Sequence, residues 1–121
     1  MPSLAIMVTT PPFSNLTVTA IDYIKAAIAA DIEIIGVFFY QDGVMNANNL
    51  ISIVSDEYQA IEQWQKLHAE HNINLHLCYT AAEKRGMSDE IETMSIDESF
   101  ILSGLGELVE LSSQADRVVQ L

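Results

Sequence analysis

The sequence predicts an α/β domain, a parallel sheet of four to five strands with helices on both faces, and three observations predict it. Runs of strand length rich in apolar, β-branched or aromatic residues recur along the chain. Between them lie segments whose apolar residues repeat at three-and-four spacing, the mark of one helix face. Strands alternating with helices at these lengths imply parallel pairing, with right-handed crossovers.

The first strand is Leu4-Ala5-Ile6-Met7-Val8, a continuous apolar run that Thr9-Thr10-Pro11-Pro12 forbids from extending. A first crossover helix runs from Asn15 to Ala30, with Ala20, Ile21, Ile24, Ala27 and Ile28 on its inner face and Asp22 and Lys25 off it. Ile32 to Phe39 makes the second strand, and the Asp-Gly and Asn content of Tyr40 to Asn49 signals a turn or ordered loop. Ser55-Asp56-Glu57 offers a cap and two first-turn acids for a helix carrying Tyr58, Ile61, Trp64 and Leu67 and ending near Asn72. Trp64 reads as core or subunit interface.

The third strand ends at Cys78. A short helix then runs to Gly86, a C-terminal cap. Ser88 to Ser99 holds Asp89, Glu90, Glu92, Asp97 and Glu98 with no base, and reads as a mobile or partner-facing loop. Phe100-Ile101-Leu102 re-enters the core, Leu105, Leu108, Val109 and Ser112 mark a last helix, and Asp116 to Leu121 is a closing strand. One domain over residues 1–121, without linker or repeat, follows from the length.

Composition limits the function. Half the residues are apolar, which excludes a disordered chain. Seventeen acids against five bases give a net charge of −12, which repels phosphate backbones, so direct nucleic-acid binding is not expected and a basic or neutral protein partner is. No apolar stretch approaches the roughly 20 residues of a membrane helix. Met1-Pro2-Ser3-Leu4 lacks the basic start of a secretory signal, so the expected compartment is the cytoplasm.

Cys78 is the only cysteine and cannot form an internal disulfide. It stands where a strand stops and a helix begins, so the unpaired N–H groups and positive dipole end of that helix favour thiolate over thiol. Lys84 and Arg85, one to two turns on, add positive charge. Against this, free cysteine is among the most buried residue types and often only fills space. His76 shares the face of Cys78 in a regular strand and reads either as a base or polarising group for the thiol or as a hydrogen-bonded core residue.

His68, His71, His76 and Cys78 fall close together, but their spacing matches no zinc pattern. Neither a metal nor a cofactor is expected. Ser103-Gly104-Leu105-Gly106 opens a helix whose amides could hold an anion, but it lacks the full dinucleotide fingerprint, and close packing of the helix start is the expected reason for its glycines. Since parallel sheets bind ligands beyond the carboxyl ends of their strands, Thr9 to Asn15, Tyr40 to Asn49 and Cys78 to Thr80 are expected to share one rim.

Phe38-Phe39-Tyr40-Gln41-Asp42-Gly43-Val44 with Asn46-Ala47-Asn48, Ser55-Asp56-Glu57, Leu77-Cys78 with Ala81-Ala82 and Arg85-Gly86, Leu102 to Gly106, and Asp116-Arg117-Val118-Val119-Gln120 together resemble the DsrE-like sulfur-relay proteins. The resemblance spans nearly the whole chain. It implies a flavodoxin-like fold and a sulfurtransferase in which Cys78 accepts persulfide sulfur from a TusA-like donor and passes it to a TusE-like acceptor, for 2-thiolation of the tRNA wobble uridine. It also implies TusB-like and TusC-like subunits in a dimer of heterotrimers. The acidic segment after Gly86 departs from the family's apolar, glycine-containing character there, which puts partner choice at that loop in question. Two other readings compete: the DsrE subunit of a DsrEFH complex in dissimilatory sulfur oxidation, and a non-catalytic α/β interaction subunit.

Overall fold

The structure, a computed structural model, describes residues 2–87 and 95–121. Five parallel strands, β1 (Ser3–Val8), β2 (Glu33–Phe39), β3 (Leu75–Cys78), β4 (Phe100–Ser103) and β5 (Arg117–Gln120), form one sheet in the order β4-β3-β2-β1-β5. Among the described residues four α-helices connect them: α1 (Asn15–Ala29), α2 (Ala60–His71), α3 (Tyr79–Lys84) and α4 (Leu105–Gln114). The parallel α/β architecture is the expected one, and the strand order decides where its reversal falls. Flavodoxin itself runs 2-1-3-4-5. Here β1, β2, β3 and β4 are laid down side by side, and only the last crossover returns across the sheet to β5.

Right-handed crossovers therefore put α1, α2 and α3 on one face and α4 on the other. Packing agrees. Phe39, pointing to the first face, meets Trp64 of α2 edge-on at 4.8 Å and Phe100 of β4 at 5.1 Å. On the second face, a Cβ on Gly36 would lie 2.9 Å from Leu111 of α4 and 3.6 Å from His76, so glycine lets the helix and the imidazole close over β2.

The strands β3 and β4 are neighbours whose following helices leave to opposite faces. This is the topological switch point of the sheet, the place where open α/β folds form a crevice. Cys78 ends β3 and Ser103 ends β4 at this point, paired in register.

Local chemistry explains most element ends. Ser14 caps α1 by accepting from the Leu16 amide at 3.2 Å. Asn72, in the left-handed region, stops α2. Gly86, at φ 72°, terminates α3, with the Met87 amide bonded back to the Ala82 carbonyl at 3.0 Å.

Four expectations are corrected. The second crossover helix begins at Ala60, not at Ser55: the Gln59 side chain donates to the Ile53, Val54 and Glu57 carbonyls, which ties the preceding residues into a turn instead of a helical one. The buried residue of α4 is Leu111, with Leu108 half-buried, whereas Leu105 and Val109 are exposed; the space above Gly36 sets the helix phase. In the run Phe100-Ile101-Leu102 only Phe100 is buried, because β4 is an edge strand and Ile101, 46% exposed, lies on the face that α4 covers elsewhere. Finally, residues 95–99 of the acidic segment are docked: Ile96 bridges Asn48 antiparallel, the Asp97 amide donates to Ala47, and Gln65 donates to the Asp97 carboxylate at 2.6 Å. The remainder of that segment, 88–94, lies outside the described residues.

Candidate functional site: the switch-point crevice

The three loops expected to share a rim do converge. The Tyr40 amide donates to the Val8 carbonyl at 2.9 Å, which leads the chain across the end of β1 into a 3-10 segment, Gln41–Ala47. Gly43 is required there, since any Cβ would overlap the Val8 carbonyl. Asn46, fully buried, ties the rim together: its amide donates to the Thr10 carbonyl at 3.0 Å and the Gly43 carbonyl at 2.8 Å, and its carbonyl accepts from the Trp64 indole at 2.9 Å. Thr17 of α1 joins in through Thr10 and the Pro11 carbonyl. This segment also packs against α3 and β3, beside Cys78. Trp64 is thus a core residue with its polar end satisfied inside the protein.

Cys78 is the last residue of β3 and the N-cap of α3, so the expected strand-to-helix junction is present. The thiol is free and the residue only 1% exposed. His76 lies two residues earlier on the same face. Its Nδ1 is 3.1 Å from Ser103 Oγ and its Nε2 3.5 Å from the Glu107 carboxylate. Burial pushes the imidazole below its ordinary value, and Glu107 opposes part of that shift. A neutral imidazole beside a carboxylate keeps its proton on Nε2, which leaves Nδ1 to accept from the Ser103 hydroxyl.

Lys84 and Arg85 stand at the far end of α3, about 9 Å along its axis from Cys78. Arg85 donates to Asp42 at 3.0 and 3.1 Å and to the Ala81 carbonyl at 3.0 Å, so its guanidinium latches the 3-10 segment onto α3. Lys84 is exposed. Any effect of either cation on the thiol acts over that distance. The other histidines are elsewhere: His68 pairs with the Ile73 carbonyl at 2.9 Å and His71 is exposed. Among the described residues no three histidine, cysteine or carboxylate side chains gather as a metal would need, and no helix is long and apolar enough to cross a membrane.

Ser103 and Glu107 are the residues that the sequence reading did not place in the site, whereas Asp42 and Asn46 lie in the Tyr40 to Asn49 segment expected on the rim. Ser103 had a signal, since it ends one strand as Cys78 ends another. Using it requires knowing that those strands are adjacent.

The sequence model of the DsrE/DsrF-like family matches residues 3–121, the full span of the sheet. The chain belongs to the DsrE/DsrF-like family. Among other members, this DsrE/DsrF-like chain is 42% identical to "Sulfurtransferase TusD" of Salmonella paratyphi B, over 96% of its own length and 97% of the relative's. The Salmonella heidelberg protein of the same name gives the same figures of 42%, 96% and 97%. The crystal structure of YchN from E. coli covers all of both chains with a TM-score of 0.77 at 21% identity, a likeness of fold. The near-full-length relatives make this DsrE/DsrF-like chain a sulfurtransferase, with a role in sulfur transfer.

Proposed function

We propose that the chain is a sulfur-relay subunit and that Cys78 carries the sulfur as a persulfide. One observation carries the reading: the only thiol of a sulfurtransferase stands at the switch-point crevice of its sheet. In this reading sulfur arrives from a TusA-like donor and leaves to a TusE-like acceptor, serving 2-thiolation of the tRNA wobble uridine in the cytoplasm. The chain works beside TusB-like and TusC-like subunits in a dimer of heterotrimers. The net charge of −12 supports a hand-over to protein rather than contact with RNA. His76 supports the thiol, and Lys84 and Arg85 contribute a distant positive field.

The test is direct. The full chain is incubated with a persulfidated TusA-like protein and the Cys78 peptide is weighed by mass spectrometry. One added sulfur is expected; an unmodified peptide in the presence of a loaded donor overturns the mechanism.

The burial of Cys78 favours a second reading, a non-catalytic subunit in which the thiol fills core space. Cys78→Ser separates the two, because sulfur passage through the assembled complex stops in the first reading and continues in the second.

A further inference from the structure

The relay reading does not say how the buried His76 reaches the thiol. His76 is 7% exposed and bridges two elements, Ser103 at the end of β4 and Glu107 in the first turn of α4. A buried imidazole is costly unless its nitrogens are partnered, and here both are. The imidazole does not need to touch the thiol to act on it, because Ser103 is the register partner of Cys78 across the crevice and carries the hydroxyl bonded to the imidazole.

Resting on the assignment of Cys78 as sulfur acceptor, we propose that Ser103 is the positioning residue through which His76 acts on the Cys78 thiol. Glu107 holds the imidazole in the tautomer that allows it. The chain of groups is Glu107 carboxylate, His76 Nε2–H, His76 Nδ1 and Ser103 Oγ–H, and Ser103 Oγ also lies 3.3 Å from the Ile101 carbonyl. Glu107 is the charged group that faces His76 from α4; from β2 the ring meets the backbone at Gly36, and Leu111 covers the same spot.

The step balances as follows. The Cys78 S–H proton passes to Ser103 Oγ while the Ser103 hydroxyl proton passes to His76 Nδ1. The resulting thiolate attacks the outer sulfur of the donor R–S–S–H, forming the Cys78 S–S bond. The donor S–S bond breaks with its electron pair on the inner sulfur, which takes the proton back from His76 through Ser103 and leaves as R–S–H. Cys78 is oxidised to the persulfide level and the donor is reduced to a thiol. Nothing else is consumed.

The experiment uses the full chain, glutathione persulfide as donor and two readouts: persulfide formation on Cys78 by intact mass, and the pH profile of Cys78 alkylation by iodoacetamide. Ser103→Ala should slow persulfide formation at neutral pH by roughly tenfold or more and move the alkylation profile to higher pH, and Ser103→Thr, which keeps the hydroxyl, should restore both. Glu107→Gln, which keeps the shape and removes the charge, should move the profile in the same direction and covers the case in which Ser103→Ala does not fold. Unchanged profiles in Ser103→Ala and Glu107→Gln, with Cys78→Ser inactive, overturn the inference and leave the relay reading standing. If wild-type Cys78 accepts no sulfur, the relay reading itself falls, and a profile that still moves in Ser103→Ala shows the coupling to be separate from it.

Discussion

The Trp64 indole donates a 2.9 Å hydrogen bond to the Asn46 side chain, and neither residue has any exposed surface. Through this bond a core helix fixes the loop that forms one side of the crevice. Trp64→Phe keeps a ring edge-on to Phe39 but strands the Asn46 carbonyl oxygen, at a cost of about 1–3 kcal/mol. Asn46→Ala, which also releases the Thr10 and Gly43 carbonyls, should cost more. Urea midpoints at constant slope measure both, and equal losses in the two variants would contradict this account.

Gly43 admits no side chain. A methyl group there would run into the Val8 carbonyl, backbone against backbone, so Gly43→Ala should destabilise the protein by about 1–3 kcal/mol and displace the 3-10 segment. Gly106→Ala is the control, since nothing lies within 4 Å of its Cβ position, and the close packing expected of the glycines at this helix start is absent. Thermal melts of the two variants side by side decide the matter.

His76 makes stability depend on pH with a definite sign. Burial holds its folded-state value below the ordinary 6.5, so the unfolded chain binds more protons in that window. The stabilisation from a neutral His76 is fully present above pH 6.5 and is lost as pH falls through the folded value. His76→Gln should flatten this part of the urea midpoint against pH curve. A wild-type curve no steeper than the variant's would refute it.

The Asp42–Arg85 pair holds the rim against the helix that follows Cys78. Both side chains keep solvent contact, so the latch contributes about 0.2–1 kcal/mol. Asp42→Asn should accordingly raise the alkylation rate of the buried thiol by roughly two- to fivefold, and high salt should act on the wild type in the same direction. An unchanged rate in low salt would show that access to Cys78 lies elsewhere.

The fold was legible in the sequence wherever local physics decides it. Leu4 to Val8 can only be a buried strand, the α1 spacing leaves one inner face, and Gly86 is a left-handed stop. Reading failed where distant atoms override local preference. Ser55 has the chemistry of a cap, yet the Gln59 amide draws the Ile53, Val54 and Glu57 carbonyls into a turn. The apolar residues of α4 fit two helix phases, and the choice was made by a glycine in another strand. At the site, Cys78 and His76 were visible as neighbours in one strand, whereas Ser103 and Glu107 enter through strand order, which periodicity does not encode.

One property of β4 bears on how a 1% exposed sulfur can be reached at all. The strand has four residues and ladder partners on one side only, so it separates from the sheet without disturbing the β1–β2 pairing or the Phe39–Trp64 contact. Its amides should therefore exchange with solvent through a sub-global opening that costs less than unfolding, while those of β1 and β2 report the full stability. In such a hierarchy the reactive atom is protected in the resting protein and released by a sub-global opening at one edge of the sheet, and a docking protein needs only to capture that state.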